Sequence, residues 1–259
     1  MNEQEITVKI EQNLINKFSF IPEQSNVMIV TNNKGLIIIN SKLNSDMFNI
    51  ALATSTITKD DVSRVIAEFK SDNLPFAWWY GFRNQNQDLN KILMELGFSA
   101  TEEELAMYTL QKDLKDAKLS ESLDIHDVDS LNKLDDFIKV LTKLLPAESQ
   151  AIRAYYGNSC NVLLTDNCPF KLIVGYINDE IAATATIFVN DDVAGIYDVI
   201  TLPSFRGQGI AKSMTSYAAN KGFELGAKFA TLTATDNAKF VYEKIGFKPL
   251  KLMKVYNLV

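Results

Sequence analysis

The sequence predicts an α/β protein of the α+β type, built from two domains that repeat one fold. Its 259 residues are enough for two domains of ordinary size. A β-hairpin, strand, helix, strand, helix and strand follow one another in the first half, and the same order returns in the second half. In each half the last helix ends at a Gly-Phe pair, Gly97-Phe98 and Gly246-Phe247. We therefore expect domains over residues 1–115 and 121–259, joined by the polar segment Lys112–Glu121.

Hydrophobic periodicity and capping residues predict the elements of the first half. Apolar residues at i, i+4 spacing indicate an amphipathic first helix, and Thr58 is the expected N-cap of the next. Asn32-Asn33-Lys34 has the composition of a hairpin turn, and Trp78 and Trp79 should face opposite sides of their strand. The predicted elements are a helix over 4–18, strands Asn26–Thr31, Gly35–Asn40 and Asn49–Ala53, a helix from Thr58 to Lys70, strand Phe76–Tyr80, helix Leu89–Leu96 and strand Glu104–Gln111.

The second half follows the same pattern. Ser130 or Asp129 is the expected cap of a helix that ends before Pro146, and Asn178-Asp179-Glu180 is the expected hairpin turn. The predicted elements are strand Leu123–Val128, a helix to Leu145, helix Ala147–Tyr156, strands Lys171–Ile177, Ile181–Val189 and Val193–Thr201, helix Lys212–Leu225, strand Phe229–Ala234, helix Asn237–Ile245 and strand Lys248–Asn257.

Composition argues against several classes of function. The net charge of −6 and the pI of about 5.0 disfavour nucleic acid as a partner. No apolar run reaches the roughly 18 residues of a membrane helix, and no signal peptide is visible, so we expect a cytoplasmic protein without a membrane partner. The single histidine, His126, argues against Ser-His-Asp and Cys-His mechanisms. With only Cys160 and Cys168 beside it, we expect no metal site.

The stretch Arg206–Ala211, RGQGIA, lies between a predicted strand and a predicted helix. Gly207 and Gly209 lack Cβ, so the backbone can turn tightly there and approach a ligand closely. The unpaired N–H groups of the helix's first turn and the helix dipole both favour an anion at this place. The sequence therefore predicts a turn that binds a phosphate group.

Residues 121–259 resemble the GNAT superfamily of acyl-CoA N-acyltransferases. Arg206–Ala211 fits the family's [RQ]-x-x-G-x-[GA] pattern, and the stretch Val199–Pro203 precedes it as the family expects. Asn237 and Tyr242 stand before Gly246-Phe247 in NAKFVYEKIGF, which is similar to the family's closing helix. The resemblance implies two GNAT-like domains, each a mixed, mostly antiparallel sheet flanked by helices. It also implies that acetyl-CoA is the co-substrate.

The first domain looks like a degenerate copy of the second. Its matching loop, Ala53–Thr58 (ATSTIT), contains neither glycine nor arginine, so the phosphate-binding turn cannot be built there in the same way. We expect this domain to serve as a scaffold, a substrate wall or a dimer surface. One active site per chain follows from this interpretation.

The resemblance implies that backbone N–H groups from Gly207 to Lys212 bind the pyrophosphate, with side-chain contacts from Arg206, Gln208 and Lys212. The backbone of Val199–Thr201 would pair with the pantetheine arm, and an N–H near Ile200 would polarise the thioester carbonyl. Asn237 would bond the cofactor, cap the closing helix, or do both. The expected cofactor-binding residues are Val199, Ile200, Thr201, Arg206, Gly207, Gln208, Gly209, Ile210, Ala211, Lys212 and Asn237.

The expected catalytic residues are Tyr242 and Asp198. Tyr242 occupies the family position of the general acid, and a phenol of pKa about 10 suits a thiolate leaving group; packing in the core is the alternative. Asp198 is a candidate general base, with a polar surface position or a substrate anchor as alternatives. Glu148, Tyr155 and Tyr156 come from a region that usually covers the acceptor in this family.

Two functions remain open at this point. The first is an N-acetyltransferase that moves an acetyl group from acetyl-CoA to an amine by direct attack on the thioester. The second is an acyl-CoA-binding sensor or regulatory module without turnover. The acceptor would be a small-molecule or peptide amine, and the negative net charge mildly favours a cationic one. We expect a monomer or a homodimer.

Overall fold

The computed structural model describes residues 2–85, 87–115, 122–236 and 238–259. Its contacts divide the chain into a first unit, Met1–Leu105 with Lys251–Val259, and a second unit, Ala106–Leu250. The end of the chain thus groups with the N-terminal residues, although the sequence analysis assigned it to the second domain. The predicted linker Lys112–Glu121 lies outside the described residues from position 116 onward.

The first unit contains a mixed sheet whose neighbouring strands are mostly antiparallel. β1–β2 and β2–β3 pair antiparallel, β3–β4 pair parallel, and the last strand of the chain adds antiparallel to β4. The elements are α1 (Glu3–Glu23), β1 (Ile29–Asn33), β2 (Leu36–Asn40), β3 (Ile50–Ala53), α2 (Lys59–Ser71), β4 (Ala77–Tyr80), α3 (Gln87–Glu95) and β5 (Phe98–Leu110), which continues into the second unit.

The second unit contains a sheet in the order β10-β9-β8-β7-β6. The pairs β6–β7, β7–β8 and β8–β9 are antiparallel, and β9–β10 is parallel. The elements are β6 (Leu123–Asp127), α4 (Leu131–Leu144), α5 (Ser149–Asn158), α6 (Cys160–Leu163), β7 (Phe170–Ile177), β8 (Glu180–Asn190), β9 (Val193–Thr201), α7 (Ile210–Glu224), β10 (Phe229–Ala234), α8 (Lys239–Glu243) and β11 (Lys248–Leu258), whose end belongs to the first unit.

Both faces of the first unit's sheet carry apolar side chains. Trp78 is fully buried in the cluster that contains Phe69 and Phe76, whose rings stack at 4.4 Å. Trp79 packs against the other cluster, where its ring centroid lies 5.2 Å from that of Phe18 on α1. The predicted alternation of the two tryptophans is therefore confirmed, because successive strand residues face opposite sides of the sheet.

Helices cover both faces of the second unit's sheet. β8 is buried at every position from Ala182 to Phe188, as expected for a strand covered on both sides. On one face, Tyr156 of α5 reaches Asp198 of β9. On the other face α7 packs closely, and a Cβ at Gly222 would lie 2.4 Å from the Cβ of Ala194.

Strands β9 and β10 pair over only the start of β9. Val193, Ala194 and Gly195 pair with residues 229–231, and from Ile196 onward β9 has no backbone partner in the described part of β10. The backbone edge of β9 from Ile196 to Thr201 is therefore available to another partner. This opening leads directly into the loop before α7.

Most predicted elements are confirmed, and the differences have local causes. The first hairpin turns at Lys34-Gly35, not at Asn32-Asn33-Lys34, because both residues take left-handed φ values of 51° and 88°. β5 begins at Phe98 rather than Glu104, and its acidic residue Glu103 pairs with Lys254 at 2.6 Å. Helix α6 was not predicted, and α8 is shorter than the prediction.

Candidate active site

The loop between β9 and α7 has an unusual backbone that only glycine adopts without strain. After a short 3-10 turn over Pro203–Phe205, Gly207 and Gly209 have φ values of +80° and +78°. No other atom lies within 4 Å of the place where a Cβ would stand at either glycine. The loop is exposed from Arg206 to Gly209, so a ligand can reach this backbone.

The N-terminus of α7 has no side-chain cap. Gly209 stands at the N-cap, and the first turn contains no acidic residue. The N–H groups of Ile210, Ala211 and Lys212 find no hydrogen-bond acceptor among the described residues. Free donors and a helix dipole favour an anion, and Lys212 adds a positive charge to the same turn. The residues present therefore fit a pyrophosphate group.

Helix α2, which occupies the matching place in the first unit, has the opposite arrangement. The Thr58 hydroxyl accepts a bond from the Asp61 N–H at 3.2 Å, and the Asp61 carboxylate accepts one from the Thr58 N–H at 2.8 Å. These bonds, above all the one from the Thr58 backbone, lower the pKa of Asp61. This capping box satisfies the N–H groups of Thr58 and Asp61, and it places a carboxylate of the chain itself where an anion would bind.

The end of β9 is anchored to β8 on one side and open on the other. The Leu202 N–H donates to Ala182 O at 2.9 Å, and Ile200 lies opposite Thr184. Because backbone groups alternate in direction along a strand, the N–H of Ile200 also points to β8 and that of Thr201 points away. Arg206 Nε donates to Thr201 O at 3.2 Å and so links the loop to this strand end.

Asp198 lies at a bulge in the middle of β9. The register between β8 and β9 shifts between Thr184 and Thr186, and Asp198 has a left-handed φ of 51°. Its carboxylate oxygen Oδ2 accepts bonds from Thr186 Oγ1 at 2.8 Å and from the Tyr156 hydroxyl at 3.4 Å. Oδ1 has no partner among the residues that the structure describes.

Two buried tyrosines stand beside this carboxylate. Burial, together with the negative charge of Asp198, raises the pKa of Tyr156 well above the ordinary value of tyrosine. The same two causes raise the pKa of Tyr155. Both phenols are therefore neutral hydrogen-bond donors at neutral pH. Glu148 lies in the 3-10 turn before α5, and its Oε2 is buried with no hydrogen-bond partner in the described part of the chain.

The remaining predicted residues fall in different places. Tyr242 lies on α8 and is 7% exposed, with its ring centroid 6.3 Å from that of Phe247. Val199 lies next to Asp198 in β9 and is half-buried. Asn237 lies outside the described residues. The structure thus brings Asp198, Tyr155 and Tyr156 into one cluster and the residues from Arg206 to Lys212 into one loop.

Sequence reasoning missed two threonines, Thr184 and Thr186. Both are completely buried on β8, and the Thr184 hydroxyl donates to the backbone oxygen of Asp198 at 3.0 Å. The alternation Ala-Thr-Ala-Thr in an otherwise apolar strand was the available sign, since it places two hydroxyls on one face. A buried hydroxyl needs a hydrogen-bond partner, and here Asp198 provides it.

Other features of the chain suggest no second centre. His126 lies on β6, where its ring bonds the Asp124 carboxylate at 2.7 Å, and both cysteines are free. Within the described ranges, no group of three or more His, Cys, Asp and Glu side chains could hold a metal ion. None of the described helices combines the length and the apolar character that crossing a membrane requires.

Comparison with known families and structures agrees with this geometry. Residues 135–247, which lie within the second unit, match the model of the Acetyltransferase (GNAT) family. No curated protein was found to match the sequence.

Solved structures extend the similarity in fold to nearly the whole chain. The GCN5-related N-acetyltransferase from Kribbella flavida has a TM-score of 0.69 over 95% of this chain and 94% of its own, at 16% identity. That from Sphaerobacter thermophilus has a TM-score of 0.63 over 87% and 80%, at 9% identity. A GCN5-related N-acetyltransferase-like protein from Streptococcus suis has a TM-score of 0.57 over 98% and 100%, at 14% identity. The predicted fold class is confirmed.

Proposed function

We propose that this protein is an N-acetyltransferase that moves an acetyl group from acetyl-CoA to a primary amine, with its active site in the second unit. The observation that carries the proposal is the uncapped N-terminus of α7 beside the left-handed Gly207 and Gly209. This loop follows directly on β9, whose second half is not paired with its parallel neighbour β10. An anion site and an open strand edge are what a phosphate-bearing, extended pantetheine arm requires.

Each part of this loop and strand has a role in binding. The N–H groups of residues 207–212 bind the pyrophosphate, with Arg206, Gln208 and Lys212 at its rim. The backbone of Val199–Thr201 pairs with the pantetheine arm, and the outward-facing N–H of Thr201 lies next to Ile200, where the thioester carbonyl is expected. Asn237 completes the cofactor-binding set. Acetyl-CoA supplies a thioester whose carbonyl carbon accepts the amine and whose sulfur leaves.

Two side chains handle the protons. Asp198 Oδ1 takes a proton from the ammonium form of the acceptor, which frees the lone pair on nitrogen for the new C–N bond. The hydroxyl of Tyr242 gives its proton to the departing sulfur as the C–S bond breaks. A carboxylate that is the first contact of the acceptor favours an amine that arrives as a cation.

The first unit provides no second site in this proposal. The Thr58–Asp61 capping box satisfies the N-terminus of α2, and β3 and β4 pair through Leu52 and Trp79. Asn84 Nδ2 also donates to Ser55 O at 2.5 Å, which ties the loop after β4 to the loop after β3. The place where β9 and β10 open in the second unit is therefore closed here. This supports a tandem protein with a degenerate first copy.

The first experiment separates the enzyme from a binding module. Free thiol released from acetyl-CoA is measured with a panel of primary amines: an alkyl diamine, a free amino acid, an amino sugar and a lysine-containing peptide. We expect release that depends on at least one amine. Tight acetyl-CoA binding without release for any amine would instead support a sensor or regulatory module.

The second experiment tests the binding loop. Gly207→Val and Gly209→Val force a side chain into a left-handed backbone, which costs about 1–2 kcal/mol per residue and distorts the loop. We expect acetyl-CoA binding to fall below detection in calorimetry. Gly226→Val is the matched control, because Gly226 follows the other end of α7 with φ +97° and equally open surroundings. Its affinity for acetyl-CoA should match that of the wild type, and equal losses in all three variants would contradict the assignment.

A further inference from the structure

Asp198 is held in a backbone conformation that a non-glycine residue rarely adopts. Its φ of 51° lies within a strand and not in a turn. The Thr184 hydroxyl donates to the carbonyl oxygen of the same residue at 3.0 Å and so supports the bulge. Strained backbone that the surrounding structure supports in this way clusters at functional sites, which makes Asp198 a candidate functional residue.

Two hydroxyl donors hold the same oxygen of its carboxylate. Thr186 Oγ1 lies 2.8 Å from Oδ2, and the Tyr156 hydroxyl lies 3.4 Å from it. Thr186 is fully buried on β8, and the Tyr156 ring is held by Phe137 at 5.3 Å between centroids. The carboxylate therefore has one fixed oxygen and one, Oδ1, that has no partner among the described residues.

The side chains that surround the Asp198 carboxylate are neutral hydroxyl groups. α5 faces it with Tyr155 and Tyr156, and burial raises the pKa of both phenols. β8 faces it with the neutral hydroxyls of Thr184 and Thr186. The carboxylate thus faces neutral hydroxyl groups, of which those of Thr186 and Tyr156 donate hydrogen bonds to it.

We propose that Thr186 and Tyr156 are positioning residues, which hold Oδ2 of Asp198 so that Oδ1 is the oxygen that meets the acceptor amine. This inference rests on the proposed function. Thr186 is the stronger of the two because its bond is shorter and its side chain is fully buried. Both act by stabilising the charged form of the carboxylate in one orientation.

The test compares Thr186→Val with Thr186→Ser in the full-length protein. We expect Thr186→Val to lower kcat/KM for the best amine of the panel by about 10- to 100-fold, as the loss of a hydrogen bond to a charged group predicts. Most of this loss lies in kcat, because the carboxylate is no longer held in one orientation. The affinity for acetyl-CoA stays that of the wild type. Thr186→Ser keeps the hydroxyl and restores both properties, and Tyr156→Phe has a smaller effect.

Thr184→Val is the matched comparison, since it removes an equally buried hydroxyl that bonds the backbone of Asp198 and not its carboxylate. We expect it to lower stability while its kcat falls less than that of Thr186→Val. A Thr186→Val variant with wild-type kcat and kcat/KM would overturn the inference. So would an equal loss of kcat in Thr184→Val, which would show that the bulge matters and the carboxylate bond does not.

A second readout keeps this inference separate from the proposed function. The 13C chemical shift of the Asp198 carboxyl group, assigned with Asp198→Asn, is recorded in the absence of any amine. It changes in Thr186→Val and returns to the wild-type value in Thr186→Ser, because the carboxylate loses and regains a hydrogen-bond donor. If the chemical shift changes but no amine releases thiol, the positioning holds and the enzyme proposal fails. If the wild-type protein is active but the chemical shift is the same in Thr186→Val, only the positioning fails.

Discussion

At the scale of single residues, burial changes which polar groups of the site can donate or accept a proton. Tyr155 and Tyr156 lie beside a carboxylate in a buried place, which raises the pKa of each phenol and makes it a donor. A base taking a proton from an amine must be negatively charged or neutral with a free lone pair, so Asp198 suits that role and the tyrosines do not. The two donors on Oδ2 would hold the carboxylate equally well as a substrate anchor, so the role of Asp198 as the base stays a proposal.

Tyr242→Phe tests the proposed general acid. The change removes only the hydroxyl, and the ring can keep its place near Phe247. We expect kcat to fall by about 100-fold or more, in the range of general acid catalysis, with little change in acetyl-CoA affinity. Thiol release and calorimetry measure the two quantities.

Tyr217→Phe is the control for this change. Its hydroxyl bonds Asp127 at 3.5 Å on β6, away from the predicted site residues. Its turnover should equal that of the wild type. A Tyr242→Phe variant with wild-type turnover would remove Tyr242 from the mechanism and leave its packing role.

At the scale of elements, α7 packs on the sheet, and in the proposed function its N-terminus binds the anion. Gly222 lies on the inner face of the fifteen-residue helix α7, which packs against β9. The two elements are so close at this point that Ala194 leaves no room for a Cβ at position 222. This contact fixes where the N-terminus of α7 points, because a helix is a stiff rod. The packing of one end of the helix thus controls the position of the other.

Gly222→Ala should therefore destabilise the protein. Its Cβ would lie 2.4 Å from the Cβ of Ala194, and overpacking of this kind costs about 1–3 kcal/mol. Gly157→Ala in α5 is the matched control, because no atom lies within 4 Å of its Cβ position. Replacing a helical glycine without a clash should stabilise by up to about 1 kcal/mol.

Thermal denaturation distinguishes the two alanine variants. We expect the melting temperature to fall in Gly222→Ala and to stay level or rise in Gly157→Ala. A fall of the same size in both would mean that helix propensity or chain flexibility dominates. A level melting temperature in Gly222→Ala would show that α7 can shift away from β9 without penalty.

At the scale of the whole molecule, the chain repeats one order of elements but opens only one of the two strand pairs. β3 and β4 stay joined and the helix after β3 is capped by Thr58 and Asp61, whereas β9 separates from β10 and α7 is uncapped. In the proposed function, the strand pairing and the helix N-terminus together make the second unit the one that binds the cofactor.

Acetyl-CoA should bind with a stoichiometry of one per chain. Isothermal titration calorimetry of the wild type measures this number, and Gly209→Val should remove all of the binding heat. A stoichiometry near two, or half of the heat remaining in Gly209→Val, would show that the first unit also binds the cofactor. The prediction of a degenerate first copy would then fail.

Local sequence signals predicted much of this protein. Helix caps at Thr58 and Ser130, the glycines of the RGQGIA loop and the alternation of Trp78 and Trp79 in β4 depend on a few neighbouring residues, so they can be predicted from the sequence. The hairpin turn was displaced because Lys34-Gly35 competes with Asn32-Asn33, and only pairing with the opposite strand selects the register. The short helix α6 has too few residues for a periodic pattern.

The sequence by itself determined the fold class, the order of elements and a glycine-containing loop before α7 that fits an anion, because each depends on neighbours along the chain. Only the tertiary structure decided that β9 parts from β10, that Asp198 stands at a bulge, and that Thr186 and Tyr156 hold one of its oxygens. These contacts join residues from different elements. They depend on strand register and helix packing, which arise only when distant parts of the chain meet.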